Sequence, residues 1–232
     1  MMAIKGFQGT SLLDFPGRIA SLVFWGRCNL TCPFCHNPPL VLDPGAYPDI
    51  DATEILSDLA RRKPFIDGVV VSGGEPTLDS GLPVFLKGVK ALGLDVKLDT
   101  NGLAPQVTAG LIEQGLVDYL AIDLKTTPER YRELHPGTVF PEHLLETVRA
   151  CADAPVELEY RTTCVPGWVD EDVIARLGDL IEGAPLWALQ QYQPEHAMFE
   201  TARELGCYPP ERIQGFADLA GRFVQRVVVR GV

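Results

Sequence analysis

The sequence lacks any long apolar run and any excess of basic residues. Hydrophobic residues make up 46% of the chain, yet no segment approaches the roughly 20 consecutive apolar residues that a membrane-spanning helix needs. Acidic residues outnumber basic residues by 31 to 20, which gives a net charge of -11. Because this charge repels a polyanionic backbone and no basic stripe offsets it, we expect neither a nucleic acid nor a membrane as a partner.

The N-terminal segment lacks the features of a secretion signal. Residues 1–17 contain no basic region that leads into an apolar core and no cleavage site of small residues, so we expect a cytoplasmic protein. The composition is globular, and 232 residues suffice to bury a full core. We therefore expect a single domain spanning residues 1–232, with a core at about 16–195 and an extension at each end.

The chain also lacks the pattern of a disulfide framework, although it has six cysteines. Disulfide frameworks are typical of short, loop-rich secreted domains, and this chain is long and rich in core residues. We therefore expect reduced thiols. Cys151, Cys164 and Cys207 are scattered singly, and we interpret each as a small, buried apolar side chain.

Short β-branched runs alternate with amphipathic stretches along most of the chain. The predicted strands are residues 19–24, 68–72, 95–99, 119–123, 156–163 and 186–192, with a further candidate at 223–229. The stretches between them predict helices, including residues 128–134 and 195–206, and the proline-rich segment 37–49 predicts a surface loop. Regular alternation predicts βαβ units with a parallel sheet. Since six core strands are too few for a complete eight-stranded barrel, we expect an α/β fold that is an open, partial barrel of about six βα units.

The chemically unusual segments come directly after the predicted strands. They are the cysteine loop from Cys28, Gly73–Pro76, Thr100–Gly102, Asp123–Lys125, Cys164–Gly167 and Tyr192–Pro194. In parallel α/β folds, the carboxyl ends of the strands share one face, and that face holds the ligand site. The six segments are therefore expected to converge on one site.

The segment CNLTCPFC places Cys28, Cys32 and Cys35 in a C-x3-C-x2-C spacing, close enough for three thiolates to surround one metal centre. A structural zinc site needs four ligands, and the nearest fourth candidate, His36, is adjacent to Cys35 in a strained position. We therefore favour a 4Fe-4S cluster. Three thiolates leave one iron open to a substrate or cofactor, whereas a plain electron carrier normally uses four cysteines. The alternative to an enzyme is a noncatalytic metal-binding module.

The cysteine loop resembles the C-x3-C-x-aromatic-C signature of the radical S-adenosylmethionine (radical SAM) enzymes. The segments VVVSGGEPTL, LDTNG and AIDLK extend the resemblance, over roughly residues 7–193, to the glycyl-radical-enzyme activases and within them to the anaerobic ribonucleoside-triphosphate reductase activating proteins. The resemblance implies that the open iron binds S-adenosylmethionine. It also implies that one electron splits this cofactor into methionine and a 5′-deoxyadenosyl radical.

The resemblance also assigns cofactor contacts near the cysteines. Gly73, Gly74, Glu75 and Pro76 match the segment that holds the methionine amino group of the cofactor. Two glycines allow close approach of the backbone to a ligand, and an exposed glutamate can accept a hydrogen bond from an ammonium group. The backbone of Phe34 is expected to lie against the adenine edge.

Two further segments contain Asp99 and Asp123, the other acidic residues of the predicted site. Asp99, Thr100 and Asn101 match a segment near the cofactor's carboxylate, where the resemblance leaves room for a monovalent cation. Asp123 and Lys125 match a segment along the ribose and carboxylate side. An acid and a lysine at a strand end also fit a solvated salt bridge of little energetic value.

Three residues have weaker support from the resemblance. Arg161 is charged and at a strand end, which suits contact with an anion. Gln193 stands where activases of the pyruvate formate-lyase type carry a histidine, so its adenine or ribose contact stays open. For His36 the choice is between contact with the cluster and a cap on the cysteine loop, and we favour the cap.

The substrate is expected to be a protein. The chain has no second cysteine cluster, and an open barrel of minimal length suits a macromolecular substrate whose own loop fills the gap. We expect removal of a glycine Hα in a partner enzyme, an anaerobic ribonucleotide reductase, with flavodoxin or ferredoxin as electron donor by resemblance. The alternative is a radical enzyme for a small molecule, such as a modified nucleobase.

Overall fold

The computed structural model describes residues 4–232, within which eight strands form one sheet. The strands lie side by side in chain order: β1 (Ile4–Ser11), β2 (Ala20–Trp25), β3 (Gly68–Gly73), β4 (Asp95–Thr100), β5 (Tyr119–Asp123), β6 (Glu157–Cys164), β7 (Trp187–Gln191) and β8 (Val227–Arg230). β1 is antiparallel to β2, and every later neighbour pair is parallel. β1 and β8 are the two edges of an unclosed sheet. The predicted open, parallel α/β barrel is confirmed.

Helices connect the parallel strands. They are α1 (Pro38–Leu42), α2 (Ala52–Arg62), α3 (Leu82–Ala91), α4 (Pro105–Glu113), α5 (Pro141–Cys151), α6 (Glu171–Leu180), α7 (Glu200–Arg203) and α8 (Pro210–Ala220). Short 3-10 helices occupy Pro44–Ala46, Pro76–Leu78, Pro128–Glu133 and Pro194–His196. Within the described residues, none of these helices is long and apolar enough to cross a membrane.

Local signals explain where the longer helices begin and end. The Asp51 side chain accepts a hydrogen bond from the Thr53 N–H at 2.7 Å and thereby caps α2. Asp170 caps α6 in the same way through the Val173 N–H at 2.9 Å. α4 begins with a proline, whose fixed φ suits a first helical turn. The chain leaves α4 through Gly115 at a φ of +63°, a conformation that glycine adopts without strain.

The two faces of the sheet bury different cores. Outward-facing residues such as Val69 and Val71 pack with Phe85 of α3 in the main core. Alternate residues point inward, where Val70 and Tyr119 form a smaller core. The inward face becomes polar toward the carboxyl ends of the strands, and this polar end carries the candidate site.

The structure corrects several local predictions at the ends of the chain. β1 was not predicted as a strand, because Gly6 and Gly9 weaken its strand pattern. α8 was not predicted either, although it begins with a proline as other helices of the chain do. The candidate strand at 223–229 is confirmed as the shorter β8.

Two predicted helices and one predicted thiol also differ. The helix predicted at 128–134 is a 3-10 helix, Pro128–Glu133, rather than an α-helix. Residues 195–206 form only the end of one 3-10 helix and the single-turn α7. Cys207 is exposed, which corrects its interpretation as a buried residue, whereas Cys151 and Cys164 are buried as predicted. Cys207 lies in the irregular stretch between α7 and α8, where no sheet covers it.

Candidate active site

A cavity of about 370 Å³ lies at the carboxyl ends of the parallel strands and extends along the inward face of the sheet. Most of the predicted site residues line it: Cys28, Cys32, Phe34, Cys35, Gly73, Gly74, Glu75, Asp99, Thr100, Asn101, Asp123, Lys125 and Arg161. Pro76 and Gln193 do not. The expected convergence is therefore seen for the segments that follow β2 to β5. The predicted segments Cys164–Gly167 and Tyr192–Pro194 do not line the cavity, to which β6 contributes Arg161 from within the strand.

Backbone hydrogen bonds hold the cysteine loop against its neighbours. Arg27 begins the loop at a φ of +69°, a left-handed conformation that is uncommon for a residue other than glycine. Its carbonyl accepts from the Glu75 N–H at 2.8 Å, and its N–H donates to the Leu40 carbonyl at 2.8 Å. Farther along, the Thr31 N–H donates to Leu134 at 3.2 Å. The loop is thus fixed to β3, α1 and the segment after β5.

The three thiols of the loop are reduced and lie in a desolvated environment. Burial raises the pKa of the Cys28 and Cys32 thiols to about 12 and also raises that of Cys35. The Leu30 N–H donates to Cys28 Sγ, and the Asn37 N–H donates to Cys35 Sγ, each at 3.4 Å. Backbone donors of this kind stabilise thiolates that ligate a metal.

The donor set tests whether a metal centre fits here. Within the described residues, no group of three or more His, Cys, Asp or Glu side chains is arranged to hold a metal ion. Three reduced thiols nevertheless line one cavity, two of them receive backbone N–H donors, and thiolates are the ligands that iron–sulfur clusters use. The residues therefore fit a cluster held by three cysteines.

The two glycines at the end of β3 allow the cysteine loop to pack against it. A Cβ at Gly74 would lie 1.9 Å from the backbone oxygen of Arg27, and one at Gly73 would lie 2.5 Å from that of Trp25. Gly73 also has a φ of +111°. The close approach that the sequence predicted is present, but the group approached is the loop that carries the cysteines.

Glu75 is buried rather than exposed, which corrects the prediction that its carboxylate is free to accept from an ammonium group. Its carboxylate accepts from the Thr77 N–H at 3.1 Å and the Thr100 hydroxyl at 2.9 Å. It also accepts from the Asn101 N–H at 2.7 Å. Burial raises its pKa, and the donors oppose that rise. Glu75 thus ties the end of β3 to the end of β4, and Pro76 begins the next 3-10 helix, away from the cavity.

The Asn101 side chain faces the cysteine loop. Its Nδ2 donates to Asn29 Oδ1 at 2.7 Å and to Cys28 Sγ at 3.8 Å, while its Oδ1 accepts from the Leu103 N–H at 3.0 Å. The sequence placed Asn101 near the carboxylate of a cofactor; in the structure its amide binds the segment that carries the thiols.

Charged side chains of alternating sign form a chain across the inward face. Lys97 pairs with Asp99, and Asp99 also accepts from Arg161 at 2.9 Å. Arg161 in turn donates to Asp123 at 2.8 Å, and Asp123 accepts from Lys125 at 2.8 Å. The sequence was also compatible with a solvated salt bridge between Asp123 and Lys125. In the structure both residues belong to this charge chain instead.

The charge chain determines the ionisation of its acids. Burial alone would raise the pKa of Asp123, but the charges of Arg161 and Lys125 more than offset it and hold that pKa well below its usual value. The pKa of Asp99 is lowered against the same burial effect by Arg161 and Lys97. Burial would lower the pKa of Lys125, and Asp123 together with Cys32 raises it instead. Asp99 and Asp123 are therefore anionic, and Arg161 and Lys125 are cationic, at neutral pH.

Aromatic residues and β7 complete the cavity. Phe34 is buried with its ring edge-to-face to Trp168 at 5.4 Å. His36 lines the cavity and stacks on Tyr192 at 5.8 Å. The sequence missed Ser72, Thr163 and Gln190, which also line the cavity.

Gln193 is exposed and precedes a 3-10 helix, which corrects its predicted place in the site. Gln190 lines the cavity instead. The alternation of side chains along a strand could have found it, because Gln190 shares the inward face with Ala188.

These features define a class of protein: an α/β partial barrel whose cavity, at the carboxyl ends of its strands, carries the thiols for a metal cluster. The sequence profile of the radical SAM superfamily matches residues 22–180. The chain belongs to the radical SAM superfamily.

Relatives narrow the type of enzyme. The chain is 31% identical over 234 residues to a protein of Methanocaldococcus jannaschii provisionally named a glycyl-radical enzyme activating enzyme, covering 99% of this chain and 96% of that one. It is 30% identical over 235 residues to the pyruvate formate-lyase-activating enzyme of Streptococcus mutans, covering 91% and 84%. The chain is accordingly an enzyme of the glycyl-radical enzyme activating type.

Two further similarities are more limited. Over 128 residues the chain is 34% identical to the 7-carboxy-7-deazaguanine synthase of Hyperthermus butylicus, covering 54% of this chain and 52% of that one. A crystal structure of a domain of pyruvate-formate lyase-activating enzyme from Bacteroides vulgatus superposes with a TM-score of 0.58 at 19% identity, covering 71% of this chain and 99% of that one. This structural likeness concerns the fold alone.

Proposed function

We propose that this enzyme uses a 4Fe-4S cluster and S-adenosylmethionine to generate a glycyl radical on a partner enzyme, an anaerobic ribonucleoside-triphosphate reductase. The observation that carries the proposal is the placement of three reduced thiols and the charge chain around one cavity. Cys28, Cys32 and Cys35 would hold the cluster. When bound, the cluster supplies one electron to S-adenosylmethionine, which yields methionine and a 5′-deoxyadenosyl radical.

The chain's own residues would bind and orient S-adenosylmethionine. S-adenosylmethionine carries an ammonium group, a carboxylate and a sulfonium, and the charge chain offers cations and anions side by side. Arg161 and Lys125 would attract the carboxylate, while Asp99 and Asp123 would attract the ammonium group or a monovalent cation. Because both acids stay ionised, this pattern of charge is preformed and needs no proton movement when the cofactor binds.

The open side of the sheet supports a protein substrate. β1 and β8 do not pair with each other, so the inward face is reachable between the sheet edges. A glycine-bearing segment of a partner could enter there and lose a Hα to the adenosyl radical. Flavodoxin or ferredoxin would supply the electron. The reductase is our choice of partner on the resemblance of the motifs, and a pyruvate formate-lyase is the rival suggested by the name of the Streptococcus relative.

The test is anaerobic incubation of the reconstituted enzyme with reductant, S-adenosylmethionine and an anaerobic ribonucleotide reductase, followed by electron paramagnetic resonance. We expect a glycine-centred doublet and an equivalent yield of 5′-deoxyadenosine. Cys32→Ala should lose both the iron and the signal. Cys151→Ala is the matched control, since Cys151 is buried in α5 away from the cavity, and it should keep both.

Other outcomes would change the assignment. A glycyl-radical signal on a pyruvate formate-lyase but not on the reductase would identify the lyase as the partner instead. Turnover that needs a small molecule and no protein would favour the second candidate, a radical enzyme for a modified nucleobase, which the similarity to a deazaguanine synthase supports. Zinc without iron in the purified protein would end the enzyme proposal.

A further inference from the structure

The orientation of the Asn101 amide is settled by its own hydrogen bonds. Oδ1 accepts from the Leu103 N–H at 3.0 Å, so the Nδ2 group must face the other way. A flipped amide would set two N–H donors against each other at Leu103. In the observed orientation, Nδ2 points at Asn29 Oδ1 and at Cys28 Sγ, at 2.7 and 3.8 Å.

Asn101 is also held rigidly. Its side chain is nearly inaccessible to water, with 5% of the residue exposed. Its backbone N–H donates to the buried carboxylate of Glu75 at 2.7 Å, and that carboxylate accepts from Thr100 as well. The amide cannot move away from Cys28 without breaking buried hydrogen bonds, which are expensive to leave unmade.

The three thiols are therefore not equivalent. Cys28 Sγ receives the side-chain N–H of Asn101 in addition to the Leu30 backbone N–H. Cys35 Sγ receives a backbone N–H from Asn37. Cys28 Sγ thus accepts one side-chain N–H and one backbone N–H.

We propose that Asn101 is a positioning residue that raises the reduction potential of the cluster by donating a hydrogen bond to the Cys28 thiolate. Reduction adds one negative charge to a thiolate-ligated cluster, and N–H donors to the sulfurs stabilise the more negative state. The proposal rests on the proposed function in one respect, namely that Cys28 ligates a cluster. The Glu75 carboxylate acts through Asn101 by fixing its backbone.

The test is a redox titration of the reconstituted protein, in which paramagnetic resonance follows the reduced cluster. Asn101→Leu removes the donor at similar volume, and its midpoint potential should shift to more negative values. Asn101→Asp keeps an acceptor for the Leu103 N–H, removes the NH2 group and adds a charge, so its shift should be larger in the same direction. Asn101→Asp provides the test if Asn101→Leu takes up the cluster poorly.

Asn37→Leu is the matched control. The Asn37 side chain donates to the Gly73 carbonyl at 3.2 Å, and only its backbone N–H meets a thiol. The midpoint potential of this variant should stay at the wild-type value. Equal midpoints for the wild type and both Asn101 variants, at equal iron content, would overturn the proposal and leave the proposed function standing. A wild-type protein that takes up no iron would overturn both.

Discussion

Among the glycines, Gly74 has the least room for a Cβ atom. The oxygen that a Cβ at this position would meet belongs to the backbone of Arg27, so no side-chain rotation relieves the overlap. Arg27 is itself fixed by hydrogen bonds to Glu75 and Leu40. Any larger residue at position 74 must therefore push the cysteine loop away from β3.

We expect Gly74→Ala to lower the free energy of unfolding by about 1–3 kcal/mol, the usual effect of overpacking. It should also lower the iron content after reconstitution, because displacing Arg27 moves Cys28. Urea titration and iron analysis measure the two effects.

Gly110→Ala is the control for this variant. A Cβ at Gly110, inside α4, meets no atom within 4 Å, and alanine is favoured over glycine in helices by about 0.5–1 kcal/mol. This variant should gain stability and keep its iron. A Gly74→Ala protein with wild-type stability and full iron would show that the loop tolerates displacement.

An ion pair between the half-buried Arg230 and the buried Glu159 joins β8 to the sheet interior. Glu159 of β6 is fully buried, and Arg230 of β8 donates to its two carboxylate oxygens at 2.9 and 2.6 Å. The Tyr119 hydroxyl donates to the same carboxylate at 2.8 Å. Arg230 reaches Glu159 across β7, where the intervening inward residue is the small Ala188.

Removing one partner of this pair should be costly, because a buried charge is then left unpaired. We expect Arg230→Met to lower the free energy of unfolding by about 3–5 kcal/mol. Glu159→Gln combined with Arg230→Met removes both charges and should recover much of that loss. Urea titration of all variants at neutral pH gives the coupling energy.

The exposed pair of Arg212 and Glu171, at 3.0 Å, is the comparison. Arg212→Met should change stability far less than Arg230→Met, since water screens the pair. If Arg230→Met has an effect no larger than Arg212→Met, the buried pair does not anchor β8.

The central strands and helices are the part of the fold that the sequence predicts well. They were predicted because each carries its own periodicity and, for the helices, a start signal: a proline begins α4 and α5, and an aspartate caps α2 and α6. β1 could not be predicted in this way, because an edge strand needs no continuous apolar pattern, and its glycines are tolerated through pairing with β2. The 3-10 helix Pro128–Glu133 contains helix-forming residues, so the local pattern did not distinguish it from an α-helix.

For the whole molecule, sequence motifs predicted which residues converge but not what they touch. Strand order brings the cysteine loop and the ends of β3, β4, β5 and β6 together, so membership in the cavity followed from topology. The burial of Glu75 and the direction of Asn101 depend on hydrogen bonds between distant segments, which no local pattern encodes. Gln193 was misplaced because β7 ends at Gln191, one residue earlier than predicted.

The charge chain also ties the stability of the molecule to pH. The pKa of Asp123 lies below its unfolded value of about 3.9 because Arg161 and Lys125 outweigh the effect of burial. Its contribution to stability is therefore complete above that pH and is lost as the pH falls toward the folded-state pKa. The lowered pKa of Asp99 acts in the same direction.

The free energy of unfolding, measured by urea titration at several values between about pH 3 and pH 5, should fall steeply at the acid end. Asp123→Asn lacks the titrating group, so its slope below about pH 4 should be shallower by up to about 1.4 kcal/mol per pH unit. Asp153→Asn alters an exposed carboxylate and should keep the wild-type slope. Identical slopes for the Asp123 variant and the wild type would mean that Asp123 titrates alike in both states, contrary to its ion pairs with Arg161 and Lys125.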